Sequence, residues 1–246
     1  MSSVPIYAIV QARLRSSRLP EKSLLKVGNL SLFELVVRRV MRSTSLSGTI
    51  AALPDTPEND ILATIAGDCG VEVVRGDHED VLSRFMVAAD GKTPCHIVRV
   101  CADNPLIAPE AIDALCAFFN PGVYDIAQNI SRSSGYPDGV GAEIMTSGCL
   151  EKIDMMAHDQ ASREHVTLFA YQHPQEFRIG EVIAQPKWFA PHLRFDIDYA
   201  ADYDAVQEFI HLLPTDPVEA TLDDIVRIAL QHTNILDMLR HLTPTT

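Results

Sequence analysis

The chain has 246 residues, of which 47% are hydrophobic, and carries a formal net charge of −13, with 20 basic and 33 acidic side chains. This length suits one α/β domain with a full core, and the negative charge argues against general binding to nucleic acid or anionic membranes. No apolar run approaches the roughly 18 residues of a membrane-spanning helix, and Met1 to Val10 lacks signal-peptide features, so we expect a cytoplasmic protein.

The first half of the chain repeats a strand–helix pattern. Apolar segments rich in β-branched residues predict four buried strands, over 6–10, 49–53, 71–74 and 96–101. A helix is predicted after each strand, and the starts of these helices are the capping box at Ser31, Thr56-Pro57, Asp77 and Pro109. Such a repeat predicts a mainly parallel, Rossmann-like sheet with helices on both faces, in three layers.

The second half of the chain is less regular. Residues 131–148 predict a long loop or hairpin, and further segments predict a helix over 162–171 and strands over 177–183 and 193–198. Helices are predicted over 201–213 and from Thr221 onward, the latter including Leu236 and Leu239. Without an internal repeat or linker, we expect one domain over 1–246, in which residues 120–188 are an excursion that does not extend the sheet cleanly.

A basic segment follows the first strand. Between residues 11 and 26, five basic side chains are opposed only by Glu21: Arg13, Arg15, Arg18, Lys22 and Lys26. A serine-rich loop at the carboxyl end of a strand can offer backbone N–H groups and fixed positive charge to phosphates. The segment therefore favours a small polyanion such as a triphosphate, although a solvated basic loop explains the spacing equally well.

Carboxylates follow two of the other predicted strands. Asp103 lies just past the fourth strand, whereas Asp196 and Asp198 are two residues apart and would share one face of a later strand. Magnesium commonly binds one or two carboxylates together with phosphate oxygens and water, so Asp103 and Asp198 predict a magnesium site. The alternative is structural, with Asp103 capping a turn and the later pair ending a strand.

Several weaker signals stay open. Arg75 ends the third predicted strand and could hydrogen-bond a base, and residues 136–141 could form an acceptor-binding loop or a tight turn. Residues 162–165 gather polar groups at a helix start, where capping is an equally simple explanation. The five cysteines lack CxxC spacing and are expected to be reduced and buried.

In combination, these motifs resemble the cytidylyltransferases that activate sugar acids. This family contains the acylneuraminate and 3-deoxy-manno-octulosonate cytidylyltransferases and the SpsF type of spore-coat polysaccharide biosynthesis. The likeness extends from about residue 6 to residue 210 and rests on five segments: QARLRSSRLPEK (11–22), RGDHEDVLSR (75–84), ADNPLIAP (102–109), REHVT (163–167) and IDYAADY (197–203).

The resemblance implies a GT-A-like nucleotide-diphospho-sugar transferase fold and transfer of CMP from CTP to a sugar acid or related acceptor, with release of pyrophosphate. It implies catalytic roles for Arg13 and Lys22, Mg²⁺ on Asp103 and Asp198, and a homodimer formed through residues 120–188. The implied nucleotide contacts are Gln11, Ala12, Arg13, Ser17, Arg18, Lys22, Arg75 and Asp103. The implied acceptor contacts are Asp138, Glu143, Arg163, Glu164 and His165.

The sequence departs from the family pattern at three positions. Arg15 and Glu21 replace loop glycines, and Gly141 stands where the family has Asp. Two alternative functions remain: a GT-A-like glycosyltransferase that uses Asp196 and Asp198 as a metal-binding DxD motif, and a catalytically silent nucleotide-binding relative. A glycosyltransferase would release a nucleoside diphosphate, whereas a cytidylyltransferase would release pyrophosphate.

Overall fold

The computed structural model describes residues 4–232, in which a seven-stranded sheet lies between two layers of helices. The strand order is β5-β4-β1-β6-β8-β7-β9, and a separate two-stranded hairpin pairs β2 with β3. The strands are β1 (Ile6–Gln11), β2 (Lys26–Val27), β3 (Leu30–Ser31), β4 (Gly48–Pro54), β5 (Glu72–Gly76), β6 (His96–Cys101), β7 (Ile126–Gln128), β8 (Glu143–Thr146) and β9 (Ile179–Glu181).

The sheet is mainly parallel, as predicted. Strands β5, β4, β1 and β6 run parallel to one another, whereas β8 is antiparallel to both of its neighbours, β6 and β7, and β9 is parallel to β7. The expectation that segment 120–188 does not extend the sheet cleanly needs correction, because the segment contributes β7, β8 and β9 to this sheet, with β8 antiparallel. These three strands have only three or four residues each, which is too short for a clear period of two.

Alternate residues of the central strands divide the core between the two faces of the sheet. Ala8 and Val10 pack with α1, α2, α4, α8 and α9, whereas Ile9 packs with α3, α5 and α7. This alternation is the period of two expected for a strand buried on both faces. The helices are α1 (Leu32–Val40), α2 (Asp60–Asp68), α3 (Val81–Ala89), α4 (Pro109–Phe118), α5 (Ser147–Met156), α6 (Gln160–Glu164), α7 (Leu168–Gln172), α8 (Ala200–Ile210) and α9 (Leu222–Gln231).

Local side-chain contacts decide where two of the helices start. Ser31 caps α1 by accepting the backbone N–H of Glu34 at 3.2 Å, which confirms the start predicted from the sequence. Helix α3 starts later than predicted, because Asp77 accepts backbone N–H groups within a turn and Asp80 is the N-cap, 2.8 Å from the N–H of Ser83.

Two predicted elements of the second half are wrong. The predicted helix over 162–171 is divided into α6 and α7, because Val166 lies between them with a φ of 38° in the left-handed region. Residues 193–198 do not form a strand; Arg194 makes an isolated parallel bridge with Asp138 instead. Leu236 and Leu239 lie outside the described residues. Within residues 4–232, no helix combines the length and the apolar character needed to cross a membrane.

Candidate active site

A cleft of about 200 Å³ opens at the carboxyl ends of β1 and β6. The loop after β1, the residues after β6, the first turn of α3 and the end of α6 form its walls. The structure therefore brings together most of the residues predicted for nucleotide and acceptor binding. Those that line the cleft are Gln11, Ala12, Arg13, Ser17, Arg18, Lys22, Asp103, Glu164 and His165.

The loop after β1 is fixed by hydrogen bonds along its length. The N–H of Glu21 donates to the carbonyl of Leu14 at 3.1 Å, and the Ser23 hydroxyl donates to the carbonyl of Arg13 at 3.1 Å. Glu21 has a φ of 55°, in the left-handed region that favours the glycine of the family pattern. This position thus keeps the backbone shape of a glycine turn with a glutamate, at a cost of about 1–2 kcal/mol, and the Glu21 side chain is exposed.

Lys22 lies between the two carboxylates predicted to bind magnesium. Its Nζ donates to Asp103 Oδ2 at 2.9 Å, to Asp198 Oδ1 at 3.2 Å and to the carbonyl of Ile197 at 2.9 Å. Burial lowers the pKa of Lys22, but the charges and hydrogen bonds of Asp103 and Asp198 outweigh that effect and hold the pKa above its ordinary 10.5. The ammonium group is therefore charged at neutral pH.

The donor set of Asp103 and Asp198 fits a divalent cation. The structure holds both carboxylates around one positive charge, the Lys22 ammonium, which stands where a shared cation would bind. Within residues 4–232, no three His, Cys, Asp or Glu side chains are grouped closely enough to hold a metal by themselves. A metal here would need further oxygens from water or phosphate, as magnesium normally does, and its binding stays a prediction.

The arginines of the loop after β1 also have carboxylate partners. Arg13 Nη2 lies 2.5 Å from Glu164 Oε1, and Arg18 Nη2 lies 3.0 Å from Asp198 Oδ1. Arg15, which replaces a family glycine, pairs with Glu58 at 2.9 Å. Without ligand, the rim of the cleft is therefore a set of ion pairs, and a polyanion that binds there must compete with these carboxylates.

Glu143 is a buried residue next to the cleft that holds one of the lining arginines, Arg99. It is 2% exposed, and its Oε2 accepts a hydrogen bond from Arg99 Nη1 at 2.5 Å. Arg99 lines the cleft and also donates from Nε to Gln11 Oε1 at 3.1 Å. The structure thus places Glu143, a predicted acceptor contact, as the buried partner that orients Arg99.

Two of the predicted contacts that do not line the cleft are arginines with carboxylate partners elsewhere. Arg75 pairs with Asp60 at 2.7 Å and with Asp55 at 3.6 Å, at the edge of the sheet. Arg163 pairs with Asp80 at 2.6 Å and with Asp154 at 2.7 Å, which ties α6 to α3 and α5. Both guanidinium groups thus have structural partners, and their predicted binding roles gain no support from these positions.

Asp138 lies in a neighbouring cavity of about 340 Å³, which Tyr136, His192 and Arg194 also line. Burial of the carboxyl group, and secondarily the charge of Asp196, raises the pKa of Asp138 to about 6. The residue as a whole is exposed, so solvent screens part of this effect. The cavity is separate from the cleft, and acceptor binding by Asp138 stays a prediction.

Arg84, like Arg99, is a cleft residue to which the sequence reasoning assigned no role. It lies in α3, is 1% exposed and lines the cleft. Its Nε and Nη1 atoms have no hydrogen-bond partner among the described residues. Burial, followed by the positive charge of Arg13, lowers the pKa of Arg84 to about 10. The sequence did carry one signal: Arg84 lies between Leu82 and Phe85 in an apolar helix, where a charged side chain is rarely buried unless it is paired.

Three comparisons relate the chain to known proteins. The sequence model of the cytidylyltransferase family matches residues 7–239. The spore coat polysaccharide biosynthesis protein SpsF of Bacillus subtilis (strain 168) is 31% identical over 208 residues, covering 82% of this chain and 85% of that protein.

Two solved structures share the fold. A cytidylyltransferase from Leptospira borgpetersenii serovar Hardjo-bovis superposes with a TM-score of 0.88 at 24% identity, covering 99% of this chain and all of that one. A CMP:2-keto-3-deoxy-manno-octonic acid synthetase complexed with CTP gives a TM-score of 0.63 at 16% identity, covering 84% of this chain and 98% of that chain.

Proposed function

The chain belongs to the cytidylyltransferase family, and we propose that it transfers CMP from CTP to a sugar acid or a related acceptor, with release of pyrophosphate. The observation that carries this proposal is the cluster of Lys22, Asp103 and Asp198, which sets a cation and two carboxylates beside the basic loop. The SpsF relative acts in spore-coat polysaccharide biosynthesis according to its name, which supports a role in surface polysaccharide synthesis.

In the proposed reaction, the acceptor hydroxyl attacks the α-phosphorus of CTP in line and pyrophosphate leaves. Arg13 and Lys22 exchange their carboxylate partners for phosphate oxygens, and the charged Lys22 ammonium stabilises the leaving pyrophosphate. Asp103 and Asp198 would hold Mg²⁺, which, when bound, neutralises phosphate charge. No covalent bond between the chain and the nucleotide is needed.

Glu164 and His165 supply the proposed acceptor contacts inside the cleft, since both line it. Glu164 is now bound to Arg13, so phosphate binding by Arg13 would release the Glu164 carboxylate for an acceptor hydroxyl. The relative named for 2-keto-3-deoxy-manno-octonic acid supports a sugar acid as the class of acceptor. The homodimer formed through residues 120–188 is part of the proposal, and a monomeric mass at micromolar concentration would refute it.

The glycosyltransferase alternative is disfavoured by the contacts of Asp196. Both of its carboxylate oxygens accept hydrogen bonds from Arg194, at 2.5 Å each. A DxD motif needs its aspartates free for a metal, whereas here only Asp198 faces the Lys22 cation. The silent-relative alternative rested on Arg15 and Glu21, but Glu21 preserves the turn and Arg15 pairs outward with Glu58.

Titration calorimetry with CTP, UTP, ATP and GTP, with and without Mg²⁺, tests the proposed function. We expect clear preference for CTP and a requirement for Mg²⁺, because the basic loop supplies charge for a triphosphate and the carboxylates supply oxygens for the metal. Binding of CTP would then justify a pyrophosphate-release screen of sugar acids. Failure to bind all four nucleotides would overturn the proposal and favour a silent relative.

A further inference from the structure

We infer that Arg84 binds an oxyanion of the substrate, either a phosphate of the nucleotide or the carboxylate of the acceptor. This inference rests on the proposed function for the identity of the ligand that fills the cleft. It assigns a binding role to a residue in the first turn of α3, on the part of the cleft lining here called the inner wall.

The cations that line the cleft differ in whether they have a carboxylate partner. Within the described residues, every other arginine or lysine that lines it has a carboxylate within 3.2 Å: Arg13, Arg15, Arg18, Lys22 and Arg99. Arg84 forms no ion pair in this part of the chain, and two of its nitrogen atoms are buried without a hydrogen bond. It is also the most deeply buried of these cations, with 1% of its surface exposed.

An unpaired guanidinium at 1% exposure is unfavourable in the ligand-free protein, because the group has lost its hydration and gained no partner. The positive charge of Arg13 adds to this cost, and the charges of Asp77, Asp80 and Glu164 offset part of it without forming an ion pair with Arg84. Methionine or leucine would fill this position in an apolar helix without such a cost, since Val81, Leu82 and Phe85 are all buried around it. An anion that enters the cleft would supply the missing partner.

The chemistry of the guanidinium group narrows the class of ligand. Its planar array of N–H donors matches the paired oxygens of carboxylates and phosphates. A neutral carbonyl or hydroxyl could accept a hydrogen bond but would leave the buried charge uncompensated. The ligand group is therefore an oxyanion, and both substrates of the proposed reaction carry one.

The test compares wild type with Arg84→Met, which keeps the length of the side chain and removes its charge, and with Arg84→Lys. We expect Arg84→Met to raise the Tm of the ligand-free protein, because the unpaired buried charge is gone. The same variant should bind an anionic substrate at least tenfold more weakly, and Arg84→Lys should recover part of that affinity. Arg38→Met, which removes a guanidinium from the outer face of α1, is the matched control and should change neither quantity.

Calorimetry with four probes separates the two sources of the oxyanion. Loss of affinity for both CTP and pyrophosphate, with cytidine unaffected, assigns Arg84 to a phosphate. Unchanged affinity for CTP with weaker binding of 3-deoxy-manno-octulosonate assigns it to the acceptor carboxylate. Equal weakening of cytidine and CTP would overturn the inference, because the contact would then be to the neutral part of the nucleoside.

A structural role for Arg84 would give a different pattern. In that case Arg84→Met would lower the Tm and leave the affinities for all four probes unchanged, which overturns the inference while CTP binding by the wild type still supports the proposed function. Conversely, wild type that binds pyrophosphate but not CTP would contradict the proposed function. The effect of Arg84→Met on pyrophosphate binding would still test Arg84.

Discussion

Two buried arginines line the cleft, Arg99 at its floor and Arg84 on its inner wall, but the protein pairs their charges differently. Arg99 has a buried carboxylate partner in Glu143 and a second contact to Gln11. Arg84 is even more completely buried and has no ion pair within the described part of the chain. The buried charge at the floor thus has a counter-charge within the protein, whereas the buried charge on the inner wall has none among the described residues.

This difference in pairing indicates a structural role for Arg99 and a ligand-binding role for Arg84. A buried charge that already has its partner gains little from a ligand and fixes the shape of the site. A buried charge without a partner destabilises the empty protein, and binding of an anion removes that cost. Removing the Arg84 charge should therefore stabilise the protein, whereas removing the partner of Arg99 should destabilise it. Three experiments extend the comparison to the rim, the floor and the neighbouring cavity.

The largest effect is expected at the rim, at Lys22. Lys22→Ala removes the positive charge proposed to stabilise the leaving pyrophosphate, and Asp103→Asn removes a proposed Mg²⁺ ligand, so each should lower turnover by about 10²–10³-fold. A pyrophosphate-release assay measures this, and circular dichroism checks that the fold survives. Lys26→Ala, which removes an exposed lysine of β2, should be nearly neutral, and near-normal activity of either site variant would refute the assignment.

An intermediate effect is expected at the floor of the cleft. Glu143→Gln should lower the free energy of unfolding by about 2–5 kcal/mol, because it leaves the Arg99 guanidinium buried without its counter-charge. Urea denaturation measures the loss. Glu34→Gln breaks the surface pair with Arg38 and should cost less than about 0.5 kcal/mol. Equal losses in the two variants would show that the floor is not a complete buried pair.

The smallest effect concerns pH and Asp138. Because its pKa in the folded protein is raised to about 6, the folded chain holds a proton there between about pH 4 and pH 6 that the unfolded chain has released. Stability from this group therefore rises as the pH falls from 7 towards 4. Asp138→Asn should flatten that part of a urea-denaturation series at several pH values, whereas Asp204→Asn, on the exposed side of α8, should not.

The sequence predicted the parallel half of the molecule well. Strand β6 has the predicted bounds, β1 is one residue longer than predicted at its end, and β4 is one residue longer at each end. These strands are buried on both faces and flanked by clear capping residues, so local composition is sufficient to identify them. The convergence of Lys22 and Asp103 followed from the rule that loops at the carboxyl ends of parallel strands meet.

The mixed half was less predictable, because long-range contacts determine it. Strand β8 is formed by pairing with β6 and β7 rather than by its own four-residue pattern. Residues 193–198 have the composition of a buried strand, but Phe195 and Ile197 bond instead to the carbonyls of Asp138 and Asp103 in two different loops. Arg84 was missed for a related reason, since sequence alone does not show whether an arginine in an apolar helix has a partner.

The position of Lys22 makes cation binding at this site an exchange rather than an addition. Its ammonium already pairs with both Asp103 and Asp198, so an incoming ion would gain only the difference between its own attraction to the two carboxylates and that of the lysine. A monovalent ion offers little advantage over the charge that it displaces. If a divalent ion were to arrive together with the nucleotide, the phosphates would give the displaced Lys22 a new anionic partner. Binding of metal and triphosphate together would therefore be favoured over binding of the metal first.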